Sequence, residues 1–76
     1  MIKVNVQKTG NSIKSMMTKR GMTADDLKKA LGYADRSTLY RWFRGEAMPS
    51  YENLVNLAIV FKCKIRDIVV YEDDVQ

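Results

Sequence analysis

The chain has 76 residues, with 13 Lys or Arg against nine Asp or Glu, a formal net charge of +4 and a pI of about 9.4. This length predicts one domain, residues 1–76, with a small core, and a single cysteine (Cys63) without any histidine excludes an internal disulfide and a Cys–His zinc centre. Because no apolar run approaches the roughly 20 residues of a membrane helix and the N-terminus lacks a signal-peptide core, we expect a cytoplasmic protein without a metal or cofactor.

The first half of the chain predicts a strand followed by two helices. Residues 2–7 alternate between apolar and polar side chains, which is the period of a half-buried strand. A first helix is predicted over 11–20, where apolar residues recur at spacings of three and four. The second helix begins after Thr23, since Asp26 three positions later suits a capping box, and it ends at Gly32.

The second half predicts three more helices. The third covers 36–44 and stops before a glycine, and the fourth covers 51–61 with Ser50 as its N-cap. A short fifth helix is predicted over 64–68, and 68–71 has a strand-like composition. The two terminal strands either pair with each other as a small sheet or pair across a dimer.

Charge is divided unevenly along the chain. Residues 1–45 hold ten Lys or Arg and three Asp, a net charge of +7, whereas residues 46–76 hold three bases and six acids, a net charge of −3. A basic half beside an acidic half favours a polyanionic partner such as nucleic acid, with an ordinary solvated surface as the alternative.

The third helix has two contrasting sides. At helical spacing, Leu39, Trp42 and Phe43 fall on the apolar side. The other side carries hydrogen-bonding and cationic groups: Ser37, Tyr40, Arg41 and Arg44. A short helix of this kind can anchor in a small core and present its polar side to the major groove of DNA.

An ordered set of residues runs through 11–70 at a characteristic spacing. The set comprises Ile13, Thr23, Leu27, Leu31, Gly32, Leu39, Arg41, Trp42, Gly45, Pro49, the run 53–58, Phe61, Ile65 and Ile68. It resembles the phage-repressor, Cro and Xre-type helix-turn-helix family. The resemblance implies an all-α, five-helix, lambda-repressor-like domain in which the third helix is the recognition helix. A small two-stranded sheet formed by the two chain ends is a possible addition.

The resemblance also assigns roles to side chains. The residues expected to contact bases are Arg36, Ser37, Tyr40 and Arg41. The residues expected to contact phosphates, which position a protein without reading sequence, are Lys19, Thr38 and Arg44. Tyr40 either contacts DNA or covers the edge of the core. Because the turn between Gly32 and Leu39 is one residue longer than the family usually has, either Asp35 or Arg36 faces the groove first.

These features predict a small repressor-like regulator that binds double-stranded DNA sequence-specifically, of the kind found in bacteria, phages or mobile elements. The resemblance implies a homodimer on a palindromic site, with half-sites about one turn of DNA apart. The alternative is an antitoxin or anti-repressor in which the same fold binds a protein. An enzyme is not expected, because the chain has no His, no Cys pair and no Gly-rich phosphate loop, and neither a membrane nor a small-molecule substrate is expected as partner.

Overall fold

A computed structural model describes residues 2–73 as five helices and a two-stranded sheet. In chain order these are β1 (Ile2–Val4), α1 (Val6–Lys19), α2 (Ala24–Leu31), α3 (Ser37–Phe43), α4 (Tyr51–Phe61), α5 (Ile65–Ile68) and β2 (Tyr71–Asp73). The five-helix fold with a small terminal sheet is confirmed. Within residues 2–73, no helix combines the length and the apolar character needed to cross a membrane.

All five helices contribute to one apolar core. Its buried members are Ile13, Met17, Leu27, Leu39, Trp42, Leu54, Leu57, Phe61 and Ile68. α1, α3 and α4 supply these residues at spacings of three or four, so one stripe of each faces inward, and α2 and α5 supply Leu27 and Ile68. The core therefore fixes the orientation of each helix, including the short α3.

The structure confirms the predicted helix ends that depend on capping residues. The Thr23 hydroxyl accepts from the Asp26 N–H, and the Asp26 carboxylate accepts from the Thr23 N–H, which closes the capping box of α2. Gly32 ends α2 in the left-handed conformation, with φ +77°. The Ser50 side chain accepts from the Asn53 N–H and caps α4.

The predictions for the N-terminal segment were partly wrong. The strand covers Ile2–Val4 instead of 2–7, its residues are exposed, and α1 begins at Val6, five residues earlier than predicted. The reason is Asn5, whose side chain accepts from the N–H of Lys8 (2.8 Å) and starts the helix.

The C-terminal strand also lies later than predicted. Ile68 belongs to α5 and is fully buried, and β2 begins only at Tyr71. β1 and β2 pair within the chain, antiparallel, with Val4 opposite Tyr71 and Ile2 opposite Asp73. The sheet joins both ends of the described chain beside α1.

A buried hydroxyl fastens this sheet to the bundle. Thr9 on α1 is fully buried, and its Oγ1 accepts from the N–H of Val70 (2.9 Å) and donates to the carbonyl oxygen of Val70 (3.4 Å). The N–H of Asn5 also donates to the same carbonyl (2.8 Å). The backbone that enters β2 is thereby held against the first two turns of α1.

Candidate nucleic-acid interface

Two buried side chains anchor α3 in the core. Leu39 is 0% exposed and Trp42 is 2% exposed. The Tyr33 ring meets the Trp42 ring edge-on, with centroids 6.2 Å apart, and the Tyr33 hydroxyl donates to Oδ1 of Asn53 on α4. The turn between α2 and α3 is therefore tied to two other helices, and it holds α3 at a fixed angle.

The C-terminal end of α3 rests directly on α1. At Gly10 the two backbones approach so closely that an added Cβ would lie 1.8 Å from the carbonyl oxygen of Trp42. One turn earlier, Nε2 of Gln7 donates to the carbonyl oxygen of Phe43 (3.2 Å). Neither residue was predicted from the sequence, although a glycine inside an otherwise helical pattern often has a packing reason.

The start of α3 is set by Asp35. The helix begins at Ser37, one residue later than predicted, and Arg36 occupies the N-cap position without a side-chain cap. Oδ1 of Asp35 accepts from both the N–H of Ser37 (2.9 Å) and its hydroxyl, and these two bonds lower the pKa of the Asp35 carboxyl. The carboxylate is thus engaged with the first turn of α3, and the Ser37 hydroxyl proton is already donated.

Arg36, Tyr40 and Phe43 form a row along α3. The guanidinium of Arg36 lies over the Tyr40 ring, 5.9 Å from its centroid, and Tyr40 meets Phe43 edge-on at 6.0 Å. Phe43 is half-buried against the core, whereas Tyr40 remains 39% exposed. Tyr40 therefore covers the edge of the core and is also accessible to a partner, and its contact with DNA remains a prediction.

The remaining predicted contact residues of α3 are exposed, but one of them is engaged. Thr38 and Arg41 lie on the exposed side of the helix. Arg44, just beyond the helix, forms an ion pair with Glu46, with Nε 2.5 Å and Nη2 3.3 Å from the two carboxylate oxygens. This pairing lowers the pKa of Glu46 and raises that of Arg44. A phosphate at Arg44 would have to compete with Glu46. This ion pair was not predicted from the sequence.

Lys19 is not brought to α3 by the fold. It is exposed in the last turn of α1. Nine residues, or two and a half turns, separate it from Gly10, so it lies on the opposite side of α1 from the contact with α3. Its predicted phosphate contact remains a prediction, separate from the cluster on α3.

The exposed side of α3 and its flanks form a surface suited to an anionic, hydrogen-bonding partner. We call it the α3 face, and it comprises Arg36, Ser37, Thr38, Tyr40, Arg41 and Arg44. The helix itself contains no acid, and the two carboxylates nearest in sequence, Asp35 and Glu46, are each bonded to a neighbouring side chain. With about 1.5 Å per residue, the seven residues of α3 span about 10 Å, which fits within the major groove.

Three comparisons agree with this geometry. The family model described as helix-turn-helix matches residues 13–68. An uncharacterized HTH-type transcriptional regulator of Methanocaldococcus jannaschii is 36% identical over 64 residues, which are 84% of this chain and 96% of that protein. The crystal structure of the restriction-modification controller protein C.AhdI from Aeromonas hydrophila superposes with a TM-score of 0.75 at 25% identity, over 83% of this chain and 94% of that one.

Proposed function

This chain belongs to the Xre and lambda-repressor type of helix-turn-helix transcriptional regulators, and from that membership we propose that it binds double-stranded DNA sequence-specifically through α3. The family is one of DNA-binding regulators, not of enzymes. The observation that carries the proposal is the α3 face, in which exposed cationic and hydroxyl groups project from a helix that Leu39 and Trp42 fix in the core.

The α3 face divides into two kinds of contact in this proposal. Arg36, Ser37, Tyr40 and Arg41 contact base edges, where an arginine can donate two hydrogen bonds to guanine. The phosphate contacts are Lys19, Thr38 and Arg44, which add affinity without sequence preference. Phosphate contacts release counterions and are weakened by salt, whereas base contacts set the preferred sequence.

The test is an in vitro selection from random duplexes at about 150 mM salt, where nonspecific phosphate binding is weakened. We expect enrichment of a defined sequence. Arg36→Ala and Arg41→Ala should each relax the preference at separate base pairs and cost about 1–3 kcal/mol of binding free energy. Arg66→Ala, an exposed arginine on α5, removes the same charge away from α3 and should leave the selected sequence unchanged. Failure to enrich any sequence would contradict the proposal and favour a protein partner, as in an antitoxin or anti-repressor.

We extend the proposal to a homodimer on an inverted repeat, since one short helix reads only a few base pairs and two copies need half-sites about one turn of DNA apart. We also propose that the protein acts as a repressor-like regulator in the cytoplasm. Its gene would belong to a bacterium, a phage or a mobile element. A reporter gene with the selected site across its promoter should be silenced by the intact protein but not by Arg41→Ala. Unchanged or increased expression with the intact protein would contradict the repressor-like role.

A further inference from the structure

Helix α4 is apolar on two sides, although only one of them faces the core. The inward side is formed by Leu54, Leu57 and Phe61. The outward side carries Tyr51, which is 75% exposed, the half-buried Val55 and Ile59, which is 68% exposed. These three residues follow each other at intervals of four, so they form one contiguous stripe. On an amphipathic surface helix one apolar stripe faces the core and the other sides are polar, so a second exposed apolar stripe is unusual.

We infer that this α4 stripe (Tyr51, Val55 and Ile59) is the surface through which two copies of the chain associate, with α4 antiparallel to α4 of the partner. The inference rests on the proposed homodimer and names its interface. Tyr51 and Ile59 lie four residues before and four residues after Val55. A two-fold axis at Val55 therefore sets each Tyr51 against Ile59 of the second copy, and the stripe is complementary to itself as a two-fold interface requires.

The charges at the two ends of α4 support the antiparallel arrangement. Glu52 lies in the first turn and Lys62 follows the last turn, so the antiparallel pair brings Glu52 of each copy toward the partner subunit's Lys62. A parallel pair would instead bring like charges together. Lys62 has φ +55°, and the other positive-φ residues of the described chain are all glycines. Lys62 is thus the left-handed residue that ends α4, and it places a cation at this end of the stripe.

The terminal sheet is the competing apolar surface, and it fits a second copy less well. Its exposed apolar residues are Ile2, Val4 and Tyr71. Pairing β2 with β2 about a two-fold axis would centre on Glu72, and pairing β1 with β1 would centre on Lys3. Either arrangement sets like charges opposite each other, which is destabilising between strands.

The size of the α4 stripe predicts a weak dimer. Three side chains from each copy bury less than the roughly 1,200 Å² typical of stable specific complexes. The association is therefore expected to be weak in free solution and to act mainly when DNA holds two copies at a high effective concentration. Binding to an inverted repeat should accordingly be cooperative.

The first test traps the dimer without DNA. Val55→Cys, made in a Cys63→Ala background, places two thiols beside the two-fold axis. Under mild oxidation it should form a covalent dimer about tenfold faster than Ala30→Cys on the exposed side of α2, because association raises the effective thiol concentration. Tyr71→Cys in the same background reports on the terminal sheet. Equal rates for Val55→Cys and Ala30→Cys, or the fastest trapping for Tyr71→Cys, would overturn the inference.

The second test adds Ile59→Lys, which lies two turns from the start of α4 and outside the α3 face. Combined with Val55→Cys it should return trapping to the Ala30→Cys rate, and alone it should abolish cooperativity on an inverted repeat while binding to a single half-site is unchanged. Circular dichroism of the variant tests whether it folds, and we expect the spectrum of the original chain. Undiminished trapping by the combined variant would contradict the interface, whereas a failure of the DNA-binding proposal would appear separately, as no enriched duplex.

Discussion

The guanidinium of Arg36 lies 5.9 Å from the centroid of the Tyr40 ring, one helical turn further along α3. This contact holds a flexible cation along the exposed side of the helix before any partner arrives. A side chain that is already oriented loses less conformational entropy on binding. We therefore propose that Tyr40 contributes to DNA binding by orienting Arg36, whether or not its own hydroxyl touches a base.

Replacing Tyr40 separates these two roles. Tyr40→Phe keeps the ring under Arg36 and should bind the selected duplex within about twofold of the original protein, whereas Tyr40→Ala should lose about two- to fivefold, the equivalent of an exposed cation–π contact. Fluorescence anisotropy with the selected duplex measures both. A loss with Tyr40→Phe as large as with Tyr40→Ala would instead assign the role to the hydroxyl.

Neutralising Glu46 should strengthen DNA binding. Its carboxylate holds Arg44, so Glu46→Gln releases the guanidinium for a phosphate. The expected result is tighter binding to all duplexes alike and a salt dependence steeper by up to about one unit of log K per log salt. Glu46→Asp, which keeps the charge, is the matched control. Because the pair is exposed, the melting temperature should not change measurably; unchanged binding by Glu46→Gln would mean that Arg44 does not meet DNA.

Gly10→Ala should destabilise the domain although alanine is the better helix former. The new Cβ would meet the Trp42 carbonyl oxygen at 1.8 Å, and a backbone atom cannot yield as a side-chain tip can. Overpacking of this kind costs about 1–3 kcal/mol, which denaturant titration measures. Ser15→Ala, on the exposed side of the same helix, should be neutral or slightly stabilising. Equal stability of the two variants would contradict the close approach of α1 and α3.

The capping box of α2 should make stability depend on pH in the acid range. The Asp26 carboxylate accepts from the backbone N–H of Thr23 and also interacts with the Thr23 hydroxyl, and both interactions lower the pKa of the carboxyl below its ordinary value. The stabilisation is present above the unfolded pKa and is lost as pH falls through the lower folded pKa. The difference in unfolding free energy between the original chain and Asp26→Asn should therefore shrink as pH falls from about 6 to about 2.5. A difference that is constant over this range would exclude ionisation as its cause.

Features decided by near neighbours in the chain could be predicted from the sequence. The caps at Thr23 and Ser50, the left-handed turn at Gly32 and the inward positions of Trp42 and Phe61 all follow from patterns a few residues long, and the structure confirms them. Of the candidate site, the sequence predicted which residues of α3 are exposed.

The features that were not predicted correctly depend on residues far away in the chain or on a choice between two local patterns. Gly10 matters only because Trp42 lies against it, 32 positions later, and the glycine by itself does not identify the residue that approaches it. At the N-terminus, Val6 suits both an alternating strand and a helix, and the Asn5 cap decides for the helix. The pairing of Arg44 with Glu46 was within reach of the sequence, since only one residue separates them.

The pairing of Ile2 with Asp73 gives the described chain a common point of entry and exit. A short linker could join the two strands without disturbing the helices, so the domain should tolerate circular permutation with new ends cut at an exposed turn such as that around Gly21. The same geometry lets the whole unit be spliced into a loop of a host protein. The inserted domain would present the α3 face on the host protein, and the N- and C-termini of the host would remain unchanged.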